Sequence, residues 1–217
     1  MSIVENTIKV VETSVEKALR RESTVEGWIH SIRSFSTPEI RSLLNNLASY
    51  ADTYLEVGTY QGGTLCSAIC NNKNLKAYAI DNFSEFKEDV SSENILKENI
   101  KRLEGISGSV KLLNKDSFLV EKSEIENPVD VYLYDGAHDE LSQEKALTHY
   151  LPFMNDVFIL LVDDYNGESV VNGTKRGLEL IKDKVRIEKE WVFNTAGNMQ
   201  PIWWNGLYIA VVSKIGA

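Results

Sequence analysis

Two hydrophobic rhythms divide the chain. Val4, Ile8, Val11, Val15 and Leu19 recur at intervals of three and four, an apolar stripe along one face of a helix. Ser23 and Glu26 stand at capping-box spacing, and Val25, Trp28, Ile29, Ile32 and Phe35 supply a second stripe. Ser36, Pro38 and Glu39 give another start signal, and Ile40, Leu43, Leu44 and Leu47 carry that helix onward. From Thr53 the rhythm changes to short apolar runs alternating with helical stretches. Strands are expected near Thr53–Gly58, Lys76–Asp81, Val110–Asn114, Val129–Tyr134 and Val157–Val162. Helices are expected near Gly63–Cys70, Val90–Leu103 and Leu141–Phe153, with a turn or short helix around Ser117–Ile125. Val157–Val162 lacks in–out alternation, the mark of a strand buried on both faces. After Asp164 come a helix at Leu178–Lys184 and two strands, Arg186–Phe193 and Leu207–Ser213. A loop rich in Asn, Gly and Trp joins those two strands, which should pair as an antiparallel hairpin at the sheet edge.

This alternation implies right-handed crossovers, an α/β class and a doubly wound, mostly parallel sheet of seven strands with helices on both faces. Residues 1–50 read as added N-terminal helices and 51–217 as the α/β domain, with no linker between them. The Val4–Leu19 stripe suits a lid or a dimer contact, the latter giving a homo-oligomer. With 43% hydrophobic and 25% charged residues, the 217-residue chain can fill a core, which excludes disordered and low-complexity classes. Lys plus Arg minus Asp plus Glu is 23 − 32 = −9, the wrong sign for holding nucleic acid or an anionic membrane surface. No run approaches the length of a membrane helix, and no secretory leader pattern opens the chain, so a soluble cytoplasmic protein is expected. Cys66 and Cys70 share a helix face without further thiols or clustered His nearby; they read as small reduced core residues.

Three motifs carry chemistry. In Glu56-Val57-Gly58-Thr59-Tyr60-Gln61-Gly62-Gly63-Thr64 a buried strand ends in glycine and a glycine pair opens the next helix, so a ligand can approach the backbone. Tyr60 stands where a dinucleotide binder has its second glycine, which disfavours a pyrophosphate and suits a compact ligand. Asp81 ends the next strand, where a carboxylate accepts hydrogen bonds from ribose hydroxyls; Asp116 and Ser117 would meet an adenine edge beyond the third strand. Asp135 ends the fourth strand, and Asp163 and Asp164 end the fifth. Neighbouring parallel strands gather these carboxylates at one edge, where an oxygen-loving divalent cation such as Mg2+ would neutralise them. His138, three residues beyond Asp135, is a proton acceptor in the same loop. Asp139 reads as a helix cap, and His30 and His149 lie in helical patterns without a role.

The glycine turn with Asp81 resembles the cofactor motif of class I S-adenosylmethionine-dependent methyltransferases. Asp135-Gly136-Ala137-His138 with Asp163-Asp164 is similar to the metal-dependent small-molecule O-methyltransferases: the macrolide-sugar and cephalosporin-hydroxylase-like branches and, more distantly, catechol O-methyltransferase. The resemblance covers about Thr53 to Ser213 and implies a Rossmann-like fold. It also implies S-adenosylmethionine over the glycine turn, with Glu56 and Asp135 near its methionine end. It implies Mg2+ or another divalent cation on Asp135, Asp163 and Asp164, and His138 as base for a small-molecule hydroxylated substrate. Asp163 stands where the macrolide branch often has Glu. Two other classes share the sheet: a catalytically inactive S-adenosylmethionine-binding protein and a nucleotide-binding oxidoreductase. Trp203, Trp204 and Tyr165 are candidates to line an acceptor pocket, with at most one of the adjacent tryptophans facing it. Trp191 and Tyr208 read as hairpin core.

Overall fold

The computed structural model describes residues 1–86, 90–193 and 202–216. Most of the loop expected between the last two strands, residues 194–201, lies outside them. The elements are α1 (Ile3–Leu19), α2 (Pro38–Ala48), β1 (Thr53–Val57), α3 (Gly63–Ile69), β2 (Lys76–Ile80), α4 (Ser92–Arg102), β3 (Ser109–Leu113), β4 (Val129–Tyr134), α5 (Glu140–Tyr150), β5 (Met154–Asp163), α6 (Glu168–Ile181), β6 (Val185–Phe193) and β7 (Leu207–Lys214). They form one seven-stranded sheet in the order β3-β2-β1-β4-β5-β7-β6. The first five strands run parallel; β7 runs antiparallel to both β5 and β6. The fold is therefore the Rossmann-like, mostly parallel sheet with an antiparallel hairpin at one edge that the sequence indicates.

Each face of the sheet carries its own core. Tyr54, Leu133, Leu161 and Ile209 point to the face covered by α1, α2, α3 and α4. Leu55, Tyr132, Leu160 and Ala210 point to the face covered by α5 and α6. Cys66 and Cys70 are free and buried in the first core. The helices before Thr53 are built into that core, with Val11, Leu43 and Leu47 fully buried beside the sheet residues. Among the described residues no helix is long and apolar enough to cross a membrane.

Two expectations need correction. The Ser23–Glu26 capping box does not form: Ser23 Oγ donates to Ser42 Oγ, and the segment makes only a short 3-10 turn, Gly27–Ser31, without a side-chain cap. The following helix is capped by Thr37, whose hydroxyl accepts from Ile40 N at 3.2 Å, with Pro38 in its first turn. The second correction concerns α6, which starts at Glu168 rather than Leu178. Glycine is a poor helix former in isolation. Here Gly173 and Gly177 let α6 press against α5; a Cβ on Gly173 would lie 2.4 Å from the Glu140 carbonyl oxygen.

Residues 24–37 owe their path to two buried polar side chains of α2. Asn45 donates to the carbonyls of Ser67 and Cys70, both at 2.8 Å, and accepts from Thr24 N at 2.9 Å. The Arg41 guanidinium donates to the carbonyls of Ile29 (2.7 Å) and Ile32 (2.9 Å) and to Ser36 Oγ (2.9 Å). Removing it strands two buried carbonyls. Arg41→Met should therefore cost about 3 kcal/mol in urea unfolding, and a loss under about 1 kcal/mol would overturn this assignment.

Candidate active site

The register of the sheet makes the site. Val57 pairs with Ile80 and with Tyr134, and Tyr134 pairs with Val162. The next residue on each strand, Gly58, Asp81, Asp135 and Asp163, therefore stands at one level along the carboxyl edge. Beyond that row lies a cavity of about 520 Å3, a size ordinary for small-molecule sites.

Its floor is the glycine turn. Gly58 has φ +88°, and a Cβ there would fall 1.8 Å from the Asp135 carbonyl oxygen, so the tips of β1 and β4 close up only over glycine. Tyr60 adopts φ +46°, a conformation non-glycine residues rarely hold. Its backbone N–H donates to Asp81 Oδ2 at 2.7 Å, while Phe83 N donates to Asp81 Oδ1 at 2.7 Å. Asp81 thus pins the turn to the β2 loop, and each carboxylate oxygen already serves the backbone. The Tyr60 ring packs against Phe86 (4.9 Å between centroids) and Phe35 (5.9 Å), an aromatic wall at the cavity.

Glu56 and Gly63 lie behind the cavity wall. Glu56 is fully buried; Tyr54 Oη donates to its Oε2 at 2.6 Å and Thr64 Oγ1 to its Oε1 at 2.8 Å. Gly63 abuts the Ser34 side chain, where a Cβ would lie 2.4 Å away. Thr64, Asp116 and Ser117 do line the cavity. Asp116 also caps the 3-10 turn that follows, accepting from Phe118 N at 2.8 Å.

At the other end, Asp135, His138 and Asp164 bring donor atoms within 4.8 Å of one another. Among the described residues they form the converging group of this kind. His138 Nε2 lies 3.0 Å from Asp164 Oδ2, and Asp164 holds φ +55° at the tip of β5. Asp163 lines the cavity but stands outside that group; it is 7% exposed and its Oδ1 has no partner. Burial, then Asp163 and Asp164, push the Asp135 carboxyl well above its ordinary range. Burial, then Asp164, do the same to Asp163. Carboxyl groups so crowded accept a cation readily, and this donor set with its orphaned oxygen fits a divalent one. Asp139 caps α5, accepting from Ser142 N at 3.0 Å.

Of the two adjacent tryptophans, Trp204 lines the cavity and Trp203 is buried against Phe193. Tyr208 is core, stacked on Tyr165 and donating to Glu190 at 2.9 Å. Sequence reasoning missed Ser34, Phe35, Phe86 and Ser92 as lining residues. They sit in irregular segments or at a helix start, and no spacing marks them.

Residues 55–165, just over half of the chain, match the model of a methyltransferase-domain family, and the chain belongs to that family. This bears out the resemblance to class I methyltransferases at the level of family and fold. In a comparison with curated proteins nothing matches. Solved structures similar in fold include the O-methyltransferase TomG of Streptomyces achromogenes, involved in tomaymycin synthesis and solved with S-adenosylmethionine. It is 17% identical, with 92% of this chain and 89% of that one covered and a TM-score of 0.61. The O-methyltransferase of Bacillus cereus, solved with S-adenosylhomocysteine, is 18% identical over 93% and 91% of the two chains, with a TM-score of 0.58. A caffeoyl-CoA O-methyltransferase assigned in Staphylococcus aureus is 13% identical over 96% and 98%, with a TM-score of 0.57. At such identities the likeness speaks for the fold.

The buried Glu56 carboxyl sets a pH test. Burial pushes it up to about 7 from 4.5, against the Tyr54 and Thr64 bonds that favour its charged form. Between those values the folded chain holds a proton that the unfolded chain has released. Stability is therefore fullest below about 4.5 and is lost as pH rises through 7. The urea midpoint of the parent should fall from pH 5 to pH 8 by more than that of Glu56→Gln. Parallel profiles would remove Glu56 from the effect.

Proposed function

We propose that the protein transfers the methyl group of S-adenosylmethionine to a hydroxyl of a small molecule. The observation that carries this reading is one cavity with two chemically different ends. One end has the glycine turn, Asp81, Asp116 and Ser117, a set suited to a nucleoside; the other has Asp135, His138 and Asp164. The family match and the fold likeness to O-methyltransferases support it.

When bound, S-adenosylmethionine supplies the sulfonium methyl that is transferred and leaves as a thioether. Gly58, Tyr60 and Thr64 would hold it from the floor of the cavity, and Asp81 would accept from its ribose hydroxyls. The acceptor hydroxyl sits over the tips of β4 and β5. His138 takes its proton: the bond from Nε2 to Asp164 orients the ring and leaves Nδ1 as the accepting atom. Asp135 and Asp164, joined by Asp163 once its carboxylate turns toward them, would hold a divalent cation, Mg2+ by the hardness of the oxygens, which would supply positive charge against the developing alkoxide. The rest is positioning: holding oxygen, methyl and sulfur in line is worth more than any chemistry the side chains add.

Calorimetry with S-adenosylmethionine, with Mg2+ and again with chelator, tests the first half. Saturable binding in both is expected, and absence of binding in both would overturn the reading. With a hydroxylated acceptor in hand, His138→Ala should lower methyl transfer by about 100-fold or more, while cofactor affinity stays within about twofold. Unchanged turnover would remove His138 from the reaction. Transfer indifferent to chelator would remove the cation.

A further inference from the structure

Among the described residues, seven side chains bury an oxygen or other polar atom that has no hydrogen-bond partner. Ser14, Glu39, Gln143 and Thr174 do so away from the cavity; Thr59, Ser92 and Asp163 line it. A buried hydroxyl left without a partner destabilises the fold. Sites where a fold tolerates that cost are candidates for function rather than stability. Asp163 belongs to the carboxylate cluster already described. Thr59, 2% exposed, and Ser92, 6% exposed, have no such explanation.

Both lie on the walls that flank Asp81. Thr59 stands between Gly58 and Tyr60, whose N–H is held by Asp81. Ser92 opens α4, the helix that follows the loop leading away from Asp81. That helix is fastened to the same glycine turn: Asn99 Nδ2 donates to Gln61 O at 3.0 Å, and Leu96 fills the space where a Cβ on Gly62 would fall, 2.4 Å away. The amino end of this eleven-residue helix, where Ser91 Oγ accepts from Asn94 N, also carries partial positive charge, which favours acceptor atoms on a ligand. Asp81 already accepts from Tyr60 N and Phe83 N, one on each oxygen, which leaves it one lone pair per oxygen for a ligand.

We propose that Thr59 and Ser92 bind the nucleoside half of the cofactor, hydrogen-bonding its ribose oxygens and purine nitrogens beside Asp81. The proposal rests on the S-adenosylmethionine reading above. Each hydroxyl turns about its Cα–Cβ bond from its buried position toward the ligand, a side-chain adjustment of a kind common on binding. The unpaired oxygen in the empty fold and the paired one in the complex are two states of a single group. A substitution that removes the hydroxyl should therefore act on them in opposite directions.

The test uses Thr59→Val and Ser92→Ala, with S-adenosylhomocysteine and adenosine as ligands in calorimetry and thermal unfolding of the chain without ligand. Each variant should bind both ligands about three- to tenfold more weakly, the size of one hydrogen bond. Without ligand, the Tm of each should equal or exceed that of the parent. Thr59→Ser and Ser92→Thr, which keep a hydroxyl, should restore affinity. Thr174→Val, an orphan removed far from the cavity, should leave both affinities unchanged. Affinities within twofold of the parent would overturn the proposal while leaving the cofactor reading intact. So would a lowered Tm without ligand, the mark of a purely structural role, or a loss confined to S-adenosylhomocysteine, which would put the contact on the methionine half. Failure of the parent chain to bind S-adenosylhomocysteine would overturn the cofactor reading and this proposal with it.

Discussion

Four parallel strands that stop at the same level are the constraint on which this site depends. Because Val57, Ile80, Tyr134 and Val162 are in register, a glycine and three aspartates fall in one row at the sheet edge. A strand slipped by one residue would turn its aspartate over to the opposite face and put an apolar side chain in its place. The glycine is what permits the row to close, since the Asp135 carbonyl occupies the space of any Cβ at position 58. Everything chemical in the molecule is therefore a consequence of pairing in a hydrophobic sheet. The energy that fixes the carboxylates comes from Leu55, Tyr132 and Leu160, not from the carboxylates themselves, which repel one another.

That row also explains why the site has two ends of opposite temperament. Asp81 is satisfied by two backbone N–H groups and acts as a brace for the turn. Asp163 is buried and Asp135 is half-buried and crowded by Asp163 and Asp164, so in both the charged form is disfavoured until something positive arrives. Three aspartates of one row thus do different work, and the difference lies in what surrounds each one. Glu56 belongs to a third category. It is buried beneath the turn and bonded by Tyr54 and Thr64, so it supports the cavity without reaching it.

The strands were legible in the sequence because runs such as Val157–Val162 are apolar on both faces and have no other use. Strand ends were legible for the same reason, and with them Gly58, Asp81, Asp135, Asp163 and Asp164. What stayed hidden is what tertiary hydrogen bonds decide. Residues 24–37 carry a helical stripe, yet Arg41 and Asn45 hold them as an irregular strap that brings Ser34 and Phe35 to the cavity. Gly173 and Gly177 argue locally against a helix, and only the neighbouring backbone of α5 shows why one forms there. Asp163 was legible as a residue of the site but not in its placement: the strand end is set by the pattern, whereas the direction of the carboxylate depends on a turn in which Asp164 takes φ +55°.

The position of β7 has a further consequence for how the molecule is made and maintained. It lies between β5 and β6, and its Ile209, Ala210 and Val211 are fully buried. Until it docks, the edge of β5 from Ile159 to Val162 offers unpaired backbone flanked by apolar side chains, a template for association with another chain. The same docking brings Gly206 O to Tyr165 N and Asn205 O to Asn166 N, just past Asp164. One strand insertion thus removes the aggregation-prone edge and finishes the acidic end of the cavity. A nascent or clipped chain short of Leu207 would be both uncatalytic and sticky, and cellular quality control could recognise it by that bare edge alone.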